Sequence, residues 1–335
     1  LDPKTAKSQI INITAAGDFP WMMPRWEDVT NRMTSLAISP TGKRIAVEAR
    51  GEIFTIPAAK GDVRNLTNSA GSAERAPAWS PDGKWVSYFS DKSGEYKLII
   101  ESQDGISQPR QIAFPNPTFY YTPSWSPDST KLLYTDTNLK VWVLDIASGQ
   151  TKSIGNDPWM VPNRTLNPVW SPDSKWVAYS SRLRSLYHAV FIANVETGAS
   201  TQITDGLADS VSPAWDASGK YLWFLASTDY GLRSQWLDMT SYDHDTTFSL
   251  YLAILNKNEP SPLLPESDED APARPAAKSD TTVKIDFDGL TRRILAVPGI
   301  PNAQYSQLRA GAAGTVYYLQ STGRAGNGGG AAGGT

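Results

Sequence analysis

The chain has 335 residues, with 31 Lys and Arg against 34 Asp and Glu and a net charge of −3. That balance argues against a nucleic-acid partner, which would want a basic face, and the absence of cysteine excludes disulfides and thiolate metal sites. No apolar run reaches the roughly 18 residues of a membrane span, whereas 40% apolar residues and 12 Trp can fill a sizeable core.

Taken in chain order, residues 1–31 read as the tail of a preceding repeat followed by a connector. Leu1-Asp2-Pro3-Lys4-Thr5 resembles the later Leu144-Asp145-Ile146-Ala147-Ser148, a landmark that closes a third strand and turns into a fourth. The connector over 15–31 is rich in Pro and aromatic residues, including Trp21 and Trp26. The repeats proper begin with Ala37-Ile38-Ser39-Pro40-Thr41-Gly42-Lys43. They continue with Trp79-Ser80-Pro81-Asp82-Gly83-Lys84, Trp125-Ser126-Pro127-Asp128-Ser129 and Trp170-Ser171-Pro172-Asp173-Ser174-Lys175, and end with the weaker Trp215-Asp216-Ala217-Ser218-Gly219-Lys220. The steps from Ser39 through Ser80, Ser126 and Ser171 to Asp216 are 41, 46, 45 and 45 residues. A period of about 40–45 residues is that of a four-stranded propeller blade. Ser, Pro and Gly at these positions suit a type I turn, and the flanking apolar residues make each copy a strand, tight turn and strand.

The repeats place blade one at 33–67, blade two at 76–113, blade three at 121–154 and blade four at 167–204. Blade five begins at Pro213 and carries insertions at 228–247 and 256–281, the second rich in Pro, Ala and acidic residues. A sixth, incomplete blade follows near 305–309 and 315–320, and 321–335 is a Gly-rich flexible segment. The expected fold is therefore an all-β propeller of TolB/WD-like four-stranded blades over 32–320, with six blades recognisable. Beginning late in one blade and stopping early in another, the chain reads as a piece of a longer polypeptide.

The chemistry-bearing residues do not assemble into a catalyst. Trp79, Trp125, Trp170 and Trp215 occupy one place per blade, where blades pack on one another, and read as core. Asp82, Asp128 and Asp173 sit in tight turns without the alternating acids of a calcium loop and read as turn caps. His188 and His244 give no metal-ligand spacing, Asp243-His244-Asp245 reads as a solvated loop, and no Gly-x-Ser-x-Gly elbow is present. No catalytic residue, metal site or cofactor is expected.

Binding is another matter. In a propeller, the loops from strand four to the next strand one share a face with the loops from strand two to strand three. That face is expected to carry Glu74, Arg75, Phe119, Tyr120, Arg164, Arg182, Arg184, Tyr187 and Asp209, the 91–95 loop, and Tyr230 and Trp236 of the first insertion. Arginine and aromatic residues mixed with carboxylates on rigidly held loops suit peptide recognition.

The Trp-Ser-Pro-Asp-Gly-Lys landmark resembles the TolB-type propeller repeat. Glu48-Ala49-Arg50-Gly51-Glu52-Ile53-Phe54 and Tyr88-Phe89-Ser90-Asp91-Lys92-Ser93-Gly94 narrow the likeness, as do Phe224-Leu225-Ala226-Ser227-Thr228-Asp229-Tyr230-Gly231, Trp236-Leu237-Asp238-Met239 and Glu266-Ser267-Asp268-Glu269. Together they resemble the second propeller of tricorn-like serine peptidases over essentially the whole chain. The resemblance implies seven blades in the intact ring and a non-catalytic domain that gates or docks peptides for a protease domain this chain does not contain. The implied partners are peptides or a protein partner and the remaining domains of the parent chain, and a homo-oligomer is compatible. A stand-alone TolB-like protein-interaction scaffold and a carbohydrate-binding propeller using Trp21, Trp26, Trp159 and Trp236 are the alternatives. The Trp-, Asn-, Thr- and Pro-rich, cysteine-free composition suits a periplasmic or exported location, with a cytoplasmic one as the alternative.

Overall fold

A computed structural model describes residues 2–23, 25–159, 166–229, 246–264 and 281–321. It divides into a short unit, Leu1–Arg32, and a large one, Met33–Thr335. In the short unit the Asp2 amide donates to the Lys7 carbonyl and the Ala6 amide to the Asp2 carbonyl, both at 2.9 Å. The same pattern closes Asp145 to Gln150 at 2.9 Å and Gly149 to Asp145 at 2.8 Å in the large unit. The turn is thus shared, but the fourth strand expected after it does not form. A strand needs a hydrogen-bonded neighbour, and Ile10, Ile11 and Ile13 stand exposed instead.

The large unit is a series of antiparallel sheets in the expected order. Blade one comprises β1 (Met33–Ile38), β2 (Arg44–Ala49), β3 (Glu52–Pro57) and β4 (Arg64–Asn65). Blade two comprises β5 (Glu74–Trp79), β6 (Trp85–Ser90), β7 (Lys97–Ser102) and β8 (Arg110–Ile112). Blade three holds β9 (Tyr120–Trp125), β10 (Lys131–Asp136), β11 (Lys140–Asp145) and β12 (Thr151–Asn156). Blade four holds β13 (Val169–Trp170), β14 (Trp176–Arg182), β15 (His188–Asn194) and β16 (Ser200–Gln202). Blade five has β17 (Asp209–Trp215), β18 (Tyr221–Ser227), β19 (Ser249–Ile254) and the distant β20 (Ile294–Ala296). Blade six has β21 (Tyr305–Ala310) and β22 (Val316–Gln320).

Alternation along these strands puts apolar side chains on both faces of each inner sheet, so every seam between successive blades has its own core. Phe89, Leu98 and Ile100 of blade two meet Trp125, Leu132 and Leu144 of blade three. Ala178, Val190 and Ile192 of blade four meet Trp215, Leu222 and Phe224 of blade five. β18 lies between two seams and is buried along its whole length. Blades one and six are flanked on one side only among the described residues, and there Met33, Leu36 and Ile38 of β1 and Tyr317 and Leu319 of β22 are exposed.

The repeated Trp does more than fill space. Its indole N–H crosses to the preceding blade each time: Trp79 to the Ala37 carbonyl at 3.1 Å, Trp125 to Ala78 at 3.3 Å, Trp170 to Ser124 at 3.0 Å and Trp215 to Val169 at 3.2 Å. Each acceptor immediately precedes the landmark residue of its own blade. One sequence position therefore supplies both the apolar contact and the satisfied donor that a buried Trp needs.

The acidic turn residues act as caps. The Ser80 hydroxyl donates to Asp82 Oδ1 at 2.5 Å and accepts from the Trp85 amide at 3.0 Å. Ser126–Asp128 and Ser171–Asp173 repeat the arrangement. The left-handed corner is Gly83 at φ 74° in blade two but Ser129 at 60° and Ser174 at 61° in the next two blades. These serines offset their strain across the seam, accepting from the Asp82 and Asp128 amides, both at 3.1 Å. In blade five the acid and hydroxyl exchange places. Asp216 accepts from the Ser218 hydroxyl and amide, the Trp223 indole and, across the seam, the Gly314 amide.

Burial pushes the carboxyls of Asp82, Asp128 and Asp216 upward, but the hydrogen bonds they accept outweigh it and each ends below its ordinary value. A depressed folded-state value contributes stability that is present above the unfolded-state value and lost as pH falls through the folded one. Urea stability is therefore expected to fall as pH drops below about 4, and Asp216→Asn is expected to flatten that limb. An acid limb of the same steepness in the variant would remove Asp216 from the account.

Candidate functional site

The antiparallel register brings the start of each first strand, the loop from second to third strand and the loop leaving the fourth strand to one end of the blade. In blade two, Glu74 pairs with Ser90, Ser90 with Lys97, and Leu98 with Ile112. The 91–96 loop and the 113–119 loop therefore flank the start of β5. A bulge between Arg75 and Ala78 then re-aims this strand end. Ala76 takes a left-handed φ of 53°, its amide donating to Glu48 Oε2 of blade one at 2.9 Å, and Pro77 has no N–H to leave unpaired.

The result is a cation held among three rings. The Arg75 guanidinium lies 3.5 Å from the Phe119 ring centroid, 5.4 Å from Tyr96 and 5.5 Å from Tyr121. Its Nη2 donates to the Tyr120 carbonyl at 2.9 Å. Phe119 stands edge-on to Tyr96 at 5.2 Å and tilted against Tyr121 at 5.0 Å. All four side chains are half-buried. Each cation–ring contact of this kind contributes about 0.5–2 kcal/mol depending on desolvation, so the cluster is a pre-ordered patch rather than four independent side chains.

Arg75 and Phe119 are thus brought together as expected, on the expected face. Four of their companions point elsewhere. Glu74 is buried, its carboxylate taken up by the Ser69, Ser72 and Ser90 hydroxyls. Tyr120 lies in the seam against Phe89, Phe114 and Tyr134, its hydroxyl donating to the Asn116 carbonyl at 2.6 Å. Burial raises that phenol above its ordinary value. Arg182 is buried in an ion pair with Asp157 at 2.7 Å and donates to the Trp159 carbonyl at 2.9 Å. Asp209 is buried, accepting from the His188 amide at 2.7 Å and lying 2.7 Å from His188 Nδ1. These four are therefore corrected from surface groups to buried partners.

Arg184 is exposed and Tyr187 half-buried, both in the turn between β14 and β15. Arg164, Tyr230 and Trp236, with the Asp243-His244-Asp245 triplet, lie outside the described residues. Of the Trp residues proposed for carbohydrate, Trp21 and Trp26 are exposed on the short unit and Trp159 is partly exposed on the large one. Among the described residues no cluster of His and acidic side chains could hold a metal ion.

Tyr96 and Tyr121 were not singled out by sequence reasoning. The available signal was parity: Tyr121 is two residues from Phe119 and so shares its side of an extended segment, while Tyr96 immediately precedes a third strand.

A family model described as the tricorn protease second beta propeller domain matches residues 33–329. A tricorn protease homolog of Saccharolobus solfataricus is 24% identical over 226 residues, covering 68% of this chain and 20% of the relative. Tricorn protease homolog 1 of Streptomyces coelicolor is 25% identical over 298 residues, covering 83% of this chain and 26% of the relative. The chain thus spans about a quarter or less of the length of these relatives. Among solved structures, the tricorn protease crystal structure superposes with a TM-score of 0.62 at 14% identity, covering 86% of this chain and 27% of that one. The β-propeller domain of the trilobed protease from Pyrococcus furiosus superposes with a TM-score of 0.50 at 12% identity, covering 87% of this chain and 79% of that one.

Proposed function

The chain belongs to the family of tricorn protease second β-propeller domains, and from that premise we propose that it is a non-catalytic gate or docking platform for peptides within a larger peptidase. The observation that carries this reading is the Arg75 cluster. Its guanidinium is ordered in advance by Phe119, Tyr96 and Tyr121 on the loop face. An arginine already immobilised loses little further freedom on meeting a peptide carbonyl or carboxylate, and the rings beside it offer apolar contact at low entropic cost. The propeller supplies the rigid support, since its blades are joined by apolar seams and by the indole bridges between them.

Peptide binding to this chain, measured by fluorescence anisotropy with labelled acidic peptides, is expected to weaken about 30-fold or more in Phe119→Ala, the effect of losing a hot-spot residue. Arg184→Ala, at an exposed position without such a ring cluster, is expected to weaken it less. Equal affinity in wild type and Phe119→Ala, with folding intact, would sink the loop-face reading.

A further inference from the structure

A second feature lies in the seam between blades one and two. A cavity of about 280 Å³ opens there, lined by Thr67 and Ser69 from the blade-one side and by residues that include Glu74, Tyr88, Lys92, Lys97 and Glu101 of blade two. Alternation along β7 explains it. Leu98 and Ile100 point to blade three, whereas Lys97, Ile99 and Glu101 point to blade one.

The deep wall is rich in acceptors. Glu101 is only 5% exposed, and its Oε2 accepts from the Tyr88 hydroxyl at 2.6 Å. Oε1 accepts no hydrogen bond from any described residue and stays open to the cavity rather than sealed in the core. Glu74, also in the lining, already accepts from three serine hydroxyls and adds negative potential to the cavity. Burial, reinforced by the charge of Glu74, holds the Glu101 carboxyl above its ordinary range, an unfavourable state that an incoming cation would relieve. Lys92 and Ser93 are exposed and Lys97 is half-buried, so donors stand at the opening while acceptors stand within.

We propose that this cavity binds a free α-ammonium group with its adjacent carbonyl or carboxylate, the ammonium seated on Glu101 Oε1 and the carbonyl or carboxylate met by Lys97 and Lys92. A free amino acid and the amino-terminal residue of a short peptide share that chemistry, and the volume admits either. A permanently anionic ligand is disfavoured by the two carboxylates, and a purely apolar one would leave Glu101 Oε1 without a donor.

The test is calorimetric titration of the whole 335-residue chain with L-alanine, with trialanine and with N-acetyl-trialanine. Saturable binding of alanine or trialanine is expected, with the acetylated peptide at least tenfold weaker because its nitrogen carries no charge. Tighter binding of trialanine than alanine identifies a peptide terminus as the source, and the reverse order identifies a free amino acid. Glu101→Gln, which keeps an acceptor for Tyr88, is expected to lower affinity at least tenfold, and Lys97→Met to lower it less. No binding of any probe to the folded chain overturns the proposal. Equal binding of free and acetylated trialanine, or unchanged affinity in Glu101→Gln, overturns it equally. Should Glu101→Gln fail to fold, the acetylated probe against wild-type protein decides alone. Phe119→Ala reads the loop face separately, so failure of one reading leaves the other standing.

Discussion

Trp125→Ala is expected to lower folding stability by about 3–5 kcal/mol, the cost of truncating a large aromatic side chain in a core. Trp125 is 6% exposed and sits where blades two and three meet, among Phe89, Leu98, Tyr120 and Leu132. Its indole N–H also donates to Ser87 Oγ at 2.9 Å and to the Ala78 carbonyl at 3.3 Å. The substitution opens a void and removes a donor from the buried Ser87 hydroxyl and from the part-buried Ala78 carbonyl. Trp125→Phe separates the two effects, because it restores most of the apolar contact and leaves only the lost hydrogen bonds, about 1–3 kcal/mol. Leu36→Ala on β1 is the matched control: its side chain is 66% exposed, and a surface change of this kind stays within about 0.5 kcal/mol. Urea midpoints at constant slope report all three. A Trp125→Ala loss under about 1 kcal/mol would mean that the seams do not depend on the repeated Trp.

The repeat was legible because its chemistry is local. Ser80, Pro81, Asp82 and Gly83 make their turn from bonds within a few residues, and the Trp period follows from one packing position per blade. β20 was not legible: three residues long and 40 residues after Ile254 at its first position, it is a strand only because β19 offers an edge. The face itself followed from topology, and Arg75 with Phe119 from that face. Which neighbours join them depends on parity through the bulges. Phe119 and Tyr121 take one side of the chain while Tyr120 takes the other, and the left-handed Thr122 interrupts any count made back from Trp125. Glu74, Arg182 and Asp209 look like surface charges until partners 16, 25 and 21 residues away in sequence are brought beside them. A charge reads as exposed in sequence for want of a visible partner, and here the fold supplies one from the adjoining strand or blade.

Arg182→Ala is expected to be the costliest charge deletion among these residues, about 3–5 kcal/mol, because it strands a buried carboxylate. The paired side chains of Arg182 and Asp157 are 6% and 1% exposed, with Nε and Oδ2 2.7 Å apart. Asp157 also accepts from the Trp159 amide through Oδ1, and Arg182 donates to the Trp159 carbonyl, so the pair pins the segment leaving blade three against β14. Removing both charges in Arg182→Met with Asp157→Leu is expected to recover most of the loss, since a buried pair and a packed apolar pair of similar volume are often close in stability. The shortfall should reflect the Trp159 amide left without its acceptor. A double-mutant cycle isolates the pairwise coupling, and its burial predicts that the coupling changes little between low and high salt. An Arg182→Ala loss below about 1 kcal/mol would show that the guanidinium is not committed to Asp157. It would then return to the loop face as a group free to meet a peptide.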